Sequence, residues 1–235
     1  MSTPERRLSE LGERWGLDES QLRTLRDLLA VLAADEHAPS TVRGSIAVDV
    51  HVADSLSALA LELVQRAESV ADLGAGAGFP GVVLAVALRQ AHVALVESAA
   101  RKCEFLEKLI STLGIANARV VRARAEAWPE GVGAHDLVVA RAVAPLAVVC
   151  EYAAPLLAIE GTLVAWKGEV SGDEARAGDR AAEILGLHGE GAVRSAPYAG
   201  SVAHHLHVFR KVAQTPAGYP RRPGAARKRP LGEGR

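Results

Sequence analysis

The stretch Val70-Ala71-Asp72-Leu73-Gly74-Ala75-Gly76-Ala77-Gly78-Phe79-Pro80-Gly81 constrains this chain more than any other. A short apolar strand ends in an acid, three glycines alternate, and Pro80 opens an apolar helix. Alternating glycines let the backbone turn tightly and approach a ligand where a side chain would clash. The first N–H groups of the following helix lack intrahelical partners and face that ligand. Pro80 suits the first helical position, where a missing N–H costs nothing. Such a loop holds a nucleotide-like cofactor.

Gly76, Gly78 and Gly81 also satisfy the dinucleotide pattern G-x-G-x-x-G. A dinucleotide brings a charged pyrophosphate to this turn, and Asp72 at the strand tip would repel it. S-adenosylmethionine carries a sulfonium and an ammonium and no phosphate, so a carboxylate there is favourable. Glu97 ends the next strand, 19 residues past Gly78, and its carboxylate suits the ribose hydroxyls of either cofactor. The acid before the glycines favours S-adenosylmethionine over NAD.

From residue 69 onward short apolar strands alternate with helices. Strands are expected at 69–73, 92–96, 118–122, 136–140, 161–166 and 204–210, with a weaker one near 191–197; helices are expected at 80–90, 99–113, 145–158 and 173–186. This rhythm predicts an α/β fold with a mostly parallel, seven-stranded sheet and helices on both faces. Before it, residues 1–67 read as a helical extension. Leu22, Leu25, Leu28, Leu29 and Leu32 recur at helical spacing, Gly16 and Asp18 mark a break and a new cap, and 51–67 reads as one more helix. An S-adenosylmethionine-dependent domain is expected over 68–212, and a basic tail over 213–235.

The net charge of −1 hides an asymmetry: from Arg210 to Arg235 eight basic residues face one acid, a net of +7, leaving −8 for the remainder. Charge alone leaves open a flexible tail for a polyanion partner and a disordered solubilising tail. Two scattered cysteines, Cys103 and Cys150, make neither a disulfide framework nor a zinc site. With no apolar run of membrane-spanning length and a polar start, the sequence predicts a cytoplasmic protein without a membrane partner. A monomer is expected. His205 and His207 share a strand face, and a pair without a third ligand makes no metal site.

Ligands of parallel sheets bind beyond the strands' C-terminal ends, which gathers Asp72, Glu97, Arg141 and Lys167 on one rim. An Asn- or Asp-Pro-Pro-aromatic motif for exocyclic amino methylation is absent after the fourth strand, which reads Ala140-Arg141-Ala142-Val143-Ala144-Pro145. Cys150 follows Val148-Val149 in an apolar helix, a poor setting for the thiolate that pyrimidine carbon-5 methylation requires. A ring nitrogen with a free lone pair, such as guanine N7, needs positioning only. Arg141 and Lys167 are the rim groups able to supply it, by donating to guanine O6, a phosphate or the cofactor carboxylate. Against this stand an ion pair of Arg141 with Asp72, Glu97 or Glu126, and a solvated strand-end charge for Lys167. Ala125-Glu126 falls where an adenine ring would lie, and Phe79 packs either on the cofactor or on the first helix.

At these residues the sequence resembles the ribosomal RNA small subunit methyltransferase G family, also called glucose-inhibited division protein B. The resemblance rests on Asp72 to Gly81, Arg101-Lys102, Arg124-Ala125-Glu126, Ala140 to Leu146, Lys167-Gly168 and the ending Gly218-Tyr219-Pro220-Arg221-Arg222-Pro223-Gly224. It runs from about residue 51 to the C-terminus. It implies a class I (Rossmann-like) methyltransferase fold with an N-terminal helical extension. It also implies S-adenosylmethionine as donor and N7 methylation of one guanine in the decoding region of 16S ribosomal RNA. Carried over by the resemblance, the cofactor contacts are Gly74, Phe79, Ala125, Glu126 and Arg141; the strand tips add Asp72, Gly76, Gly78 and Glu97. Arg141 and Lys167 are the expected catalytic residues, and the small ribosomal subunit is the expected partner. The alternatives are a small-molecule or protein methyltransferase and a non-catalytic RNA-binding or ribosome-assembly protein of the same fold.

Overall fold

The computed structural model describes residues 3–201 and 204–232; Glu233 and Arg235 of the basic ending lie outside the described residues. Helices α1 (Thr3–Trp15) and α2 (Glu19–Ala34) open the chain. Gly16 breaks them at φ 66, and Asp18 caps α2 by accepting the Gln21 N–H at 2.9 Å while the Gln21 side chain returns to the Asp18 N–H at 2.9 Å.

The single helix expected over 51–67 is instead a broken series. A π turn Val48–Ala53 leads into α3 (Asp54–Leu56), a 3₁₀ turn Ser57–Ala60 and α4 (Glu62–Gln65). The Ser55 and Ser57 hydroxyls each donate at 2.6 Å to the carbonyls of His51 and Asp54, side-chain bonds that compete with a regular helical ladder.

The alternating part follows as β1 (Ser69–Leu73), α5 (Gly81–Ala87), β2 (His92–Glu97), α6 (Ala100–Thr112), β3 (Ala118–Arg122) and β4 (His135–Arg141). It continues as α7 (Leu146–Ala153), β5 (Leu157–Lys167), α8 (Gly172–Ile184), β6 (Leu187–Ser195), β7 (His204–Lys211) and the short α9 (Ala225–Lys228). The helix expected over 145–158 stops at Ala153, because Pro155 follows and β5 starts at Leu157. The weak strand near 191–197 begins earlier, at Leu187.

The strands form one sheet in the order β3-β2-β1-β4-β5-β7-β6. The first five are parallel, and β7 runs antiparallel between β5 and β6. Chain order reverses between β1 and β4, the crevice where such sheets bind ligands. Leu73 pairs with Val96 on one side and Ala140 on the other. Gly74, Glu97 and Arg141 are therefore the next residues out on three adjacent strands.

Each sheet face buries its own cluster. Val70, Leu95, Leu137, Val139 and Val164 pack with α5 and with Leu25, Leu28 and Leu32 of α2. Ala71, Leu73, Val96, Val138 and Leu163 pack with α7 and α8. The N-terminal helices thus share the core of the first face. Gln21 ties them to it by donating to the Val86 carbonyl at 2.8 Å.

Candidate active site

Gly74, Gly76 and Gly78 all take positive φ (67, 58 and 98), as the strand-to-helix turn demands. At Gly78 an added Cβ would lie 2.7 Å from Val82, so the loop is also sterically closed to other residues there. Pro80 is the cap preceding α5 rather than its first residue.

Gly81 takes that first place, and its N–H donates to Asp72 Oδ2 at 2.9 Å. The expectation of a rim-facing Asp72 is corrected here. Asp72 shares a face with Val70 at period two, the face covered by α5, so its side chain runs beneath the helix start and is 1% exposed. Burial pushes its carboxyl up to about 7, opposed by the Gly81 hydrogen bond and by Arg141.

A cavity of about 250 Å³ opens at the crevice, lined by Gly74, Glu97, Ala125, Glu126, Val143 and Arg227 among others. Glu97 Oε1 accepts the Ser98 and Ala99 N–H groups at 2.8 Å, and Oε2 accepts the Gly76 N–H at 3.2 Å. This fixes the carboxylate at the mouth and leaves lone-pair sites for hydroxyl donors. Ala125-Glu126 sit in a 3₁₀ turn on the far wall, where Glu126 Oε1 accepts the Gly224 N–H at 3.0 Å.

Gly76, Gly78 and Phe79 support this cavity without lining it. The Phe79 ring is buried and stacked on His51 at 4.1 Å between centroids, with the Arg141 guanidinium 5.5 Å from its centre. His51 in turn meets Ser40 Oγ through Nε2 at 2.9 Å, and burial, then Arg141, lower it to about 4.

Arg141 pairs with none of the three acids weighed from sequence. Its Nη1 donates to Asp54 Oδ2 at 2.9 Å and to the Val50 carbonyl at 3.0 Å. Lys167 is not a solvated strand-end charge; its Nζ lies 2.7 Å from Glu174 Oε1 of α8. Both line a second cavity, of about 260 Å³, that shares Ala142 with the first. Asp54, Trp166, Ser195 and His204 also line it, beside Gly168, His205 and Leu206, and sequence reasoning did not single out the first three. For Asp54 the signal was a polar run, Asp54-Ser55 with Ser57, on a largely apolar segment; Trp166 and Ser195 carried none. All three residues are buried.

The basic ending is docked on the body. Arg221 grips Glu151 of α7, Nε to Oε1 at 2.8 Å and Nη2 to Oε2 at 2.5 Å, while Arg227 donates to the Val143 carbonyl at 2.8 Å. Arg101, Arg122, Arg124, Arg222, Lys228 and Arg229 are exposed and have no ion-pair partner among the described residues. Cys150 is fully buried in α7, which pushes its thiol up and away from nucleophilic use. Among the described residues no His, Cys, Asp and Glu cluster could hold a metal, and no helix is long and apolar enough to cross a membrane.

The family model described as rRNA small subunit methyltransferase G matches residues 22–195. Ribosomal RNA small subunit methyltransferase G of Synechococcus sp. (strain JA-3-3Ab) is 36% identical, over 96% of this chain and 90% of the relative. That of Rubrobacter xylanophilus is 38% identical, over 93% and 88%. Among solved structures, a SAM dependent methyltransferase from Aquifex aeolicus superposes with a TM-score of 0.56 over 79% of this chain and 98% of that one. At 13% identity that likeness speaks to fold alone. With the sheet order, the glycine crevice and these relatives in agreement, the chain belongs to the rRNA small subunit methyltransferase G family.

Proposed function

We propose that the protein transfers a methyl group from S-adenosylmethionine to small-subunit ribosomal RNA, at N7 of one guanine in the decoding region. The observation that carries the reading is the state of the glycine loop. Its Gly76 and Gly81 amides, which a diphosphate would need, are committed to the Glu97 and Asp72 carboxylates. Glu97, fixed at the cavity mouth, repels a pyrophosphate and suits a cationic donor.

Glu97 would hold the ribose hydroxyls, and Gly74, Ala125 and Glu126 the adenine end. Gly76, Gly78, Phe79 and Asp72 act one step back, by shaping the loop. Bound there, S-adenosylmethionine supplies an electrophilic methyl on a sulfonium, open to in-line displacement by a ring-nitrogen lone pair. Guanine N7 carries no proton, so the protein need hold no general base, and positioning supplies most of the rate. Arg141 and Lys167, in the wall of the adjoining cavity, orient the acceptor. The unpaired Arg101, Arg122, Arg124, Arg222 and Lys228 grip the RNA phosphates.

The test is transfer of labelled methyl to naked 16S RNA and to assembled 30S subunits, with the product nucleoside identified by mass spectrometry. N7-methylguanosine on either substrate is the expected result, and Arg141→Ala should abolish it while the fold persists. A different methylated nucleoside would move the reaction elsewhere. Label in neither substrate, from protein that binds S-adenosylhomocysteine, would support a non-catalytic RNA-binding role instead.

A further inference from the structure

The second cavity is built around one carboxylate. Asp54 has a side chain only 9% exposed, with Arg141 Nη1 2.9 Å from Oδ2 and His204 Nδ1 3.1 Å from Oδ1. Its main-chain oxygen accepts the Trp166 indole N–H at 3.0 Å and the Ser57 hydroxyl at 2.6 Å. The carboxylate is thus fixed in direction, and each oxygen keeps a further lone-pair site. In the same wall Ser195, 9% exposed, has a buried hydroxyl with no hydrogen-bond partner. Buried polar atoms are satisfied in folded proteins, and one left open beside a cavity points to a ligand that completes it.

We propose, on the guanine reading above, that this cavity takes the flipped-out target base and that Asp54 selects guanine by accepting from N1–H and the exocyclic N2 amino group. Among the four RNA bases only guanine presents two adjacent donors on its pairing edge. Adenine and cytosine set an acceptor next to their one exocyclic amino donor, and uracil flanks its single donor with two acceptors. A rigid, singly oriented carboxylate therefore matches guanine and repels the others. N7 lies across the purine from that edge. Pinning the pairing edge on Asp54 turns N7 away from it, and the cofactor cavity adjoins at Ala142. Ser195 completes the polar contacts, and Trp166 offers an apolar ring. His204 is a positioning residue, acting through Asp54.

The test uses the full chain and RNA in which the guanine methylated by the wild type has been mapped and then replaced by inosine through splinted ligation. Inosine keeps N7, O6 and N1–H and lacks only the N2 amino group. Wild-type kcat/KM should fall about tenfold or more on inosine, the cost of a buried acceptor left unpaired. Asp54→Asn should bring the guanine-to-inosine ratio to within about threefold of unity while still binding S-adenosylhomocysteine. Ser195→Ala should raise the KM for RNA with kcat retained. His204→Gln should keep the ratio that His204→Ala loses. Equal wild-type rates on guanine and inosine overturn the subsite and leave the functional reading standing. No methylated guanine anywhere overturns that reading and the subsite with it.

Discussion

Arg221 and Arg222 are neighbours in a basic segment, yet the structure gives them opposite tasks. Glu151 sits in the middle of α7 with its side chain 1% exposed, and Arg221 meets both its oxygens in a forked pair. Removing the guanidinium leaves the carboxylate buried with little beyond the Arg221 main-chain N–H at 3.3 Å. Stripping one partner from a buried pair costs about 3–5 kcal/mol. Because the Arg221 side chain is 26% exposed and the segment can lift to admit water, the lower end applies, about 3 kcal/mol.

With a urea m-value of about 2–3 kcal/mol per molar, Arg221→Ala should lower the unfolding midpoint by roughly 1–1.5 M. Glu151→Leu with Arg221→Met, an apolar pair of similar bulk, should recover most of the loss. Salt titration of RNA binding then separates anchoring from phosphate contact. Arg222→Ala should reduce the slope of log K against log salt by about 0.7–0.9, and Arg221→Ala should leave it unchanged. A midpoint for Arg221→Ala within about 0.3 M of wild type, accompanied by a reduced salt slope, would refute the argument.

Three further outcomes follow from the crevice. Glu97→Ala strips the acceptor from the Gly76, Ser98 and Ala99 amides as well as from the ribose, so S-adenosylhomocysteine affinity should fall at least about tenfold by calorimetry; an unchanged Kd refutes the ribose role. Gly81→Ala would place a Cβ 2.5 Å from both Asp72 Oδ2 and Leu95 Cδ2, and should cost about 2–4 kcal/mol in urea unfolding; a neutral variant refutes the packing argument. Asp72 binds its proton more tightly folded, at about 7, than unfolded, at 3.8. Its contribution is therefore complete below the unfolded value and is lost as pH rises through the folded one. The midpoint of Asp72→Asn minus that of wild type should grow between about pH 5 and about pH 8, and a flat difference shows that Asp72 is ionised throughout.

The central strands were legible because parallel strands buried on both faces are near-continuous apolar runs, as in Leu95-Val96 and Leu137 to Ala140. Glu97 was legible for a related reason: an acid closing such a run must sit at the strand's mouth. Asp72 lies one residue inside its strand end, and there the period-two alternation decides its direction; reading it as a tip residue ignored that face. The segment 51–67 kept helical spacing in its apolar residues, while its serines broke the ladder from within. The docking of the tail follows from contact between residues far apart in the chain. A sign of it was nevertheless present, in Glu151 within the apolar run Val148 to Ala153, where a carboxylate requires a partner. Asp54 carried the same kind of sign.

Ala142 shows how the two cavities come to lie side by side. It takes φ 57, a conformation that costs an L residue with a side chain about 1–2 kcal/mol, so its surroundings must hold it there. On one side Arg141 is tied to Asp54 and to the Val50 carbonyl. On the other, the Val143 carbonyl accepts from Arg227, and the Val143 side chain crowds Gly74, where an added Cβ would lie only 3.2 Å away. Opposite pulls on consecutive residues turn Arg141 toward the second cavity and Val143 toward the first, with the alanine lining both. The N-terminal segment and the basic ending, far apart in sequence, thus act on the same turn. A larger side chain at Ala142 would narrow the junction on whichever side it pointed.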